Sequence, residues 1–443
     1  MDCSALETHI CALTEALISQ PSKVMLKIIL NRLKPQAQKI IAEERAGLRT
    51  GRSTTEQIFN LRILCEKYFQ HQRDLYHVFM NFKKASDRVW HVALGATTKK
   101  YNINTNLIRV IKNLYVKATS AVLFNGSTGD WFQTTVGVQQ GCLLSPALFN
   151  IFLERVMTDA LENHKVTVSI GGRTITSLRF ADDIDGLAGE EEMAKLAACL
   201  GKASTAYGME ISAEKTKLMT NNTSGINTEI KANGQKLETV TSFKNLGSVI
   251  TGEDSKPEIL SRIAQTTAAL TRVKPVWNDR SISLSSKIRL MRSLVTSIFW
   301  YACELWTLTA ELQKIQTMEM RCYRKILRIS YKDHVTNEEV CAKIQQAIGP
   351  HEDLLPIVKR RKLQWYGHVS RSSGLTKTIL QFTVKGGRRQ GRQKKRWEDN
   401  IRNWTGLEFA KSQKAVENRE KWRKLVAKSS SVVHQRPSRL RDR

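Results

Sequence analysis

Asp182 and Asp183 are adjacent carboxylates that follow the apolar run Thr174 to Phe180 and precede Ile184 and Leu187. The run reads as a strand, so at least one carboxylate is delivered to the mouth of a sheet. Carboxylates held rigidly at a strand end are hard oxygen ligands of the kind Mg²⁺ takes. An Asp-Asp pair is also ordinary turn chemistry, so its meaning depends on its neighbours. One neighbour is Gln140-Gly141-Cys142-Leu143-Leu144-Ser145-Pro146. Here Ser145 as N-cap and Pro146 as first helical residue announce a helix, and Gly141 lets a backbone approach a flat ligand such as a base pair.

The elements that must position these residues are legible as periodicities. Leu148, Phe149, Phe152, Leu153, Val156 and Ala160 make one apolar helical face behind Ser145-Pro146. Asp74 to Phe82 reads as a strand, followed by Lys83-Lys84-Ala85-Ser86-Asp87, and Gly171-Gly172 as the turn of a hairpin. Ala121 to Asn125 and Trp131 to Val136 predict a second hairpin, and Phe243 to Ile250 a further strand. Ser22 to Leu33 reads as a helix ended by Pro35, and Glu56 to Phe69 as another. From Glu258 the pattern is almost wholly helical: 259–276, 283–308, 310–329, 337–348 and 354–369. The fold class expected is therefore α+β, with a helical second half.

The 443 residues carry 70 Lys+Arg against 41 Asp+Glu, a net charge of +29. From Lys359 to Arg443 there are 25 Lys+Arg and 6 Asp+Glu, so these 85 residues hold +19 of it. Such a block suits a polyanion, nucleic acid or an acidic membrane surface, because neutralised phosphates release counterions; a solvated charged face is the plainer alternative. The run Arg388, Arg389, Arg392, Lys394, Lys395 and Arg396, broken by glycines, reads as a linker or a segment that orders on binding. Trp397, Trp404 and Trp422 downstream fit either base stacking or a small helical core. The first basic residue is Lys23, so the start lacks a secretory signal, and the best uncharged apolar stretch, Ser293 to Cys303, is 11 residues. That is short of the roughly 20 a spanning helix needs, so an intracellular protein of nucleus or cytoplasm is expected. Eight cysteines without a CxxC pair predict reduced thiols rather than a zinc site.

Six segments, in this order, resemble the reverse-transcriptase domain of LINE-type non-LTR retrotransposons: Arg52 to Ile58, Phe82 to Val89, Gln140 to Pro146, Phe180-Ala181-Asp182-Asp183, Gly208 to Lys217, and Phe243-Lys244-Asn245-Leu246-Gly247. The resemblance covers about Ser22 to Ile250, and Trp365 to His368 with Gly391 to Trp397 are similar to the carboxyl-terminal part of such polyproteins. It implies a right-hand polymerase: partial fingers over 1–74, a palm with an antiparallel sheet over 75–250, a helical thumb over 251–330, a helical connector over 331–385 and a basic nucleic-acid-binding tail over 386–443. Relative to the family order, an endonuclease domain is expected to be missing ahead of the fingers.

The resemblance further implies RNA template, DNA primer and deoxynucleoside triphosphates as partners, no membrane, and two Mg²⁺ ions held by Asp182 and Asp183. Arg52 is placed against template or nucleotide, and Gln140 and Gly141 beneath the nascent base pair. Lys215 becomes a proton donor to pyrophosphate, and Phe243, Leu246 and Gly247 a primer grip. One departure matters most. Where the family has a metal-binding Asp ahead of Phe-Lys-Lys-Ala, this chain has Asn81, which keeps the shape and removes a unit charge. Asp87, six residues on, is not expected to replace it. Leu48, Ser86 and Gln139 also depart from the family's Phe, Phe and Arg. The implied activity is an RNA-directed DNA polymerase impaired at Asn81, or a catalytically inactive nucleic-acid-binding remnant.

Overall fold

The computed structural model describes residues 19–431 apart from 48, 50, 117, 163, 165–167, 222–229, 233, 253, 310–311, 351, 389–390 and 392. The chain divides into two compact units, residues 1–57 with 73–241 and residues 58–72 with 242–443. Among the described residues no helix is long and apolar enough to cross a membrane.

The first unit opens with α1 (Gln20–Ile40), which runs through Pro35 instead of ending before it. Leu33, Ala37 and Ile41 are buried on either side of that proline, and their burial offsets the roughly 3 kcal/mol a helical proline costs. Val24, Met25 and Ile28 are exposed; Leu26 and Ile29 take the interior. Next, α2 (Thr54–Gln70) begins in this unit and continues in the second. Strand β1 (Tyr76–Met80), α3 (His91–Lys100) and α4 (Thr105–Val116) follow.

The expected hairpin over 121–136 forms with a tighter turn. β2 (Thr119–Ser120) pairs with β5 (Phe132–Gln133), and β3 (Leu123–Phe124) with β4 (Ser127–Thr128). Asn125 and Gly126, both at positive φ, make the turn. Helix α5 (Ser145–Leu161) has Leu144, not Ser145, at its N-cap; the Ser145 side chain is drawn into the interior. After β6 (Ser169–Ile170) and β7 (Arg173–Thr174), which close around Gly171-Gly172, come β8 (Ser177–Phe180), β9 (Asp183–Ala188), α6 (Glu190–Ala206), β10 (Lys217–Thr220), β11 (Lys231–Ala232), β12 (Gln235–Lys236) and β13 (Glu238–Val240).

Five strands form one sheet in the order β13-β10-β1-β9-β8, antiparallel except for the β10–β13 pair. Side chains alternate across it. Tyr76, Val78 and Met80 of β1, Ile184 of β9 and Leu218 of β10 join the apolar faces of α5 and α6 in one core. The same alternation puts Asn81 and Asp183 on the opposite face.

The second unit starts with β14 (Ser242–Asn245) and β15 (Ser248–Thr251), so the single strand expected over 243–250 is a hairpin. Leu246 and Gly247, both at positive φ, turn it. The helices are α7 (Lys256–Arg272), α8 (Lys274–Asn278), α9 (Leu284–Leu290), α10 (Thr296–Trp300), α11 (Leu312–Leu327), α12 (Asn337–Ile348), α13 (Leu354–Arg371), α14 (Leu375–Gln381), α15 (Trp397–Thr405), α16 (Phe409–Glu417) and α17 (Arg419–Ser431). The long helix expected over 283–308 is broken by a π turn at Met291–Val295 and by Ala302 at φ 55°. The breaks let Val295, Phe299, Cys303 and Trp306 all reach the core.

Of the two readings of the downstream tryptophans, the core one describes Trp397 and Trp422, which are 1% and 3% exposed. Phe59 meets Trp397 edge-on at 5.0 Å, and Tyr366 lies 5.6 Å from Trp422. Lys362 is wholly buried, its ammonium donating to Trp306 O at 2.7 Å and Asn400 Oδ1 at 2.8 Å above the Trp397 ring. Burial drives its pKa well down.

Candidate active site

Strands β8 and β9 are joined by Ala181-Asp182, with Phe180 paired to Asp183. Ala181 sits at φ 53°, a conformation that costs an L-residue roughly 1–2 kcal/mol and must be held by its surroundings. It is held from below. Arg45 Nη1 donates to Ala181 O at 3.0 Å and to Asn150 Oδ1 at 2.8 Å, and Asn150 Nδ2 donates to Gly47 O at 2.9 Å. Arg45 and Arg179 flank Glu154 at 3.5 and 3.2 Å. All four of Arg45, Asn150, Glu154 and Arg179 are buried.

Ala46 N donates to Arg179 O and Arg179 N to Glu44 O, so the 44–46 segment lies against β8 like a short extra strand. Gly47 then passes over the turn so closely that a Cβ there would stand 2.0 Å from Ala181 N. Burial, then the neighbouring Arg179, lowers the Arg45 pKa to about 9, while Glu154 and Asp182 act to raise it. The brace holds two guanidiniums against one carboxylate, so it places net positive charge beneath the two aspartates.

Asn81, one residue past β1, is brought to the turn by the β1–β9 pairing that sets Met80 against Ile184. Its Nδ2 donates to Asp183 Oδ1 at 3.3 Å, and its backbone is tied to Ser212 N at 2.8 Å and Thr216 Oγ1 at 3.4 Å. Burial, then repulsion from Asp182, raises the Asp183 pKa; the Asn81 hydrogen bond acts against both. Mg²⁺ commonly takes one or two carboxylate ligands and completes its shell with water or phosphate oxygen. Among the described residues no group of three or more His, Cys, Asp or Glu is placed to hold a metal.

Residues 15–250 match the family described as reverse transcriptase (RNA-dependent DNA polymerase). The chain belongs to the reverse transcriptase family. It is 22% identical over 325 residues to the RNA-directed DNA polymerase from mobile element jockey of Drosophila melanogaster, a match covering 70% of this chain and 35% of that protein. It is 27% identical over 242 residues to the putative transposon-derived protein F52C9.6 of Caenorhabditis elegans, covering 53% of this chain and 86% of that one. The chain thus spans about a third of the jockey polymerases it matches. Among solved structures, apo telomerase from Candida tropicalis aligns with a TM-score of 0.38 at 15% identity, covering 82% of this chain and 61% of that chain. The chain mixes helices and sheets as an α+β fold, and its relatives include RNA-directed DNA polymerases from the mobile element jockey.

The other residues expected of a reverse transcriptase fall as follows. Gln140 is exposed and donates to Asp87 Oδ1 at 3.2 Å, and Gly141 turns beside it at φ 80°. This loop is fastened to the segment after β1 by Gly137 N to Val89 O and Val138 N to Ser86 O, so Gln140 and Asn81 belong to one continuous frame. Arg52 is engaged by Glu56 and by Glu43, the latter at 3.3 Å. Lys215 is exposed in the turn before β10. Leu48 lies outside the described residues.

In the second unit the Leu246-Gly247 turn is clamped: Tyr301 Oη donates to Leu246 O at 2.6 Å, and Arg262 donates to Gly247 O. Phe243 pairs with Ile250 across this hairpin. Of the basic run, Arg388 is exposed, while Arg389 and Arg392 lie outside the described residues. The other three cations are engaged within their own unit. Lys394 lies 4.6 Å over the Phe69 ring, Lys395 donates to Leu308 O at 2.9 Å, and Arg396 is bound by Glu398 and Asp399. Arg45, Gly47, Asn150, Glu154 and Arg179 escaped the sequence reading. The available signal was Asn150 and Glu154, two polar residues one turn apart on an otherwise apolar helical face.

Proposed function

We propose that this chain is a retrotransposon-derived RNA-directed DNA polymerase whose nucleotidyl transfer is impaired by Asn81. The contact that carries this reading is the 3.3 Å hydrogen bond from Asn81 Nδ2 to Asp183 Oδ1. It supports position 81 as the third member of the site, and it sets an amide where the family's chemistry asks for a carboxylate. The family uses divalent metal ions; here Asp182 and Asp183 would hold Mg²⁺, with Asn81 offering at most an uncharged oxygen. Held by these residues, such an ion would supply Lewis acidity to a primer 3′ hydroxyl and positive charge to the reacting phosphate.

The chain's own residues do the rest. Arg45 and Gly47 fix the turn that aims Asp182, and Asn81 restrains Asp183 while occupying one of its oxygens. Gln140 and Gly141 offer a surface to the nascent base pair. Arg52 exchanges Glu43 and Glu56 for a template or nucleotide phosphate, and Lys215 is free to donate a proton to pyrophosphate. RNA template, DNA primer and deoxynucleoside triphosphates are then the partners, and the work is intracellular.

Primer extension on an RNA template, with Mg²⁺ and with Mn²⁺, tests the reading. The parent chain is expected to incorporate little, Asn81→Asp on the order of 100-fold more, since one electrostatic group at a reacting centre carries about that much, and Asp182→Ala nothing. Melting supplies a readout without turnover: Mg²⁺ should stabilise Asn81→Asp more than the parent. Parent activity equal to that of Asn81→Asp would sink the impairment. Silence from Asn81→Asp favours the inactive nucleic-acid-binding remnant.

A further inference from the structure

The basic residues of the carboxyl-terminal region are not equivalent once folded. Of the run before Trp397, Lys394, Lys395 and Arg396 are engaged by partners in their own unit, whereas α13 and α17 line a groove of about 680 Å³ with cations. Arg360, Gln364, His368 and Arg371 form its α13 wall, and Arg419 and Arg423 its α17 wall. Trp422 forms part of the floor. Among the described residues no Asp or Glu lines the groove. Arg360 is paired with Glu352, and Arg371 donates to Val416 O at 3.1 Å. Among the described residues Arg419 and Arg423 make no ion pair. Burial, then Arg419 and Arg423, lowers the Arg371 pKa, so positive charges repel one another here without compensation.

The groove is built rather than incidental. Gly367 of α13 lets Trp422 come so close that a Cβ would stand 2.4 Å from its Nε1, and that Nε1 donates to Leu363 O at 3.1 Å. This anchor fixes α17 against α13 and holds the two cationic stripes facing each other. Arg360, Gln364 and His368 recur every fourth residue, as do Arg419 and Arg423, so each wall presents its groups about one helical turn apart. From Arg360 to Arg371 the α13 wall is about 16 Å long at 1.5 Å per residue, too long for one phosphate and long enough for several in succession. A concave channel with charged walls admits a strand; a bilayer surface needs a convex or flat face.

We propose that the groove between α13 and α17 binds the phosphate backbone of a nucleic-acid strand, independently of base sequence. It goes beyond the polymerase reading and does not depend on it, since neither Asn81 nor the aspartates take part. The test is fluorescence anisotropy of the full chain with a labelled 20-nucleotide single-stranded RNA, in EDTA, across a salt series. Arg419→Gln with Arg423→Gln is compared with Lys421→Gln with Lys424→Gln. The second pair removes the same charge from α17 outside the groove.

The groove variant should bind at least tenfold more weakly, and its slope of log affinity against log salt should fall by about 1.4, the value for two lost phosphate contacts on a single strand. The lysine variant should stay within threefold of the parent. Circular dichroism checks that both remain helical, as expected for exposed positions. Equal weakening by the two pairs would mean diffuse attraction to net charge and would overturn the proposal. So would displacement of RNA by millimolar inorganic phosphate at constant ionic strength. Binding of phosphatidylserine vesicles without binding of RNA would overturn it as well.

Discussion

At the residue scale, the two aspartates of the candidate site depend on groups that never face solvent. Glu154 is 5% exposed and serves both Arg45 and Arg179, whose guanidiniums lie 3.5 and 3.2 Å from it. Removing one partner of a buried ion pair strands the other charge and costs about 3–5 kcal/mol. Glu154→Gln strands two, while leaving shape and helix propensity nearly unchanged. It is expected to lower the stability of the first unit by at least that amount, read from urea unfolding followed by circular dichroism. It should also abolish whatever incorporation Asn81→Asp restores, because the Ala181 carbonyl loses its fixed donor. A loss below about 1 kcal/mol, the median worth of an exposed pair, would show that solvent reaches the brace. Asn81 is the opposite case: a hydrogen bond that steadies two like charges in the absence of a cation also occupies an oxygen that a cation needs.

At the element scale, the helices beyond residue 385 are woven into the second unit. Trp397 N donates to Glu66 Oε2 at 2.8 Å, Leu308 N to Asn400 Oδ1 at 2.8 Å, and Val358 belongs to the same core as Trp277 and Trp306. Deleting Lys359 to Arg443 should therefore unfold α7 to α12 as well. The ellipticity at 222 nm should fall by more than the share of helix removed, and a proteolysis-resistant core from 242 to 358 should be missing. A cooperative melt of the shortened second unit would show instead that the helices are an appendage. What was legible beforehand follows from range. The α5 face, the β8–β9 turn with its aspartates and the Gly171-Gly172 hairpin are written in local periodicity and turn chemistry. The passage of α1 through Pro35, the break at Ala302, the Arg45 brace and the burial of Lys362 depend on residues tens to hundreds of positions away. No window of sequence contains them.

At the scale of the whole molecule, a net charge of +29 makes acid the expected enemy, since protonating carboxylates adds to the self-repulsion. Two buried carboxyls in the second unit act in the other direction. Burial raises Glu319 from 4.5 to about 7, with Asp353 adding to the rise and the Leu354 N–H, Tyr323 and Arg292 opposing it; burial likewise raises Glu66 to about 7. Below pH 4.5 such a group is protonated whether the chain is folded or not, and its contribution to stability is fully present. As pH rises from 4.5 through about 7 the unfolded chain releases the proton first, so that contribution is lost, up to about 3 kcal/mol for a shift of this size. Glu319→Gln keeps an acceptor for the Leu354 N–H, which Glu319 receives at 3.1 Å, and cannot titrate. The difference in unfolding free energy between parent and Glu319→Gln, measured in urea at half-unit steps from pH 4.5 to 8, removes the global charge effect common to both. The parent should lose stability relative to the variant across that window, most steeply between pH 5 and 7. A difference that is flat, or that grows in the parent's favour as pH rises, would mean that Glu319 is ionised in the folded protein and that Arg292 governs its charge rather than the surrounding apolar core.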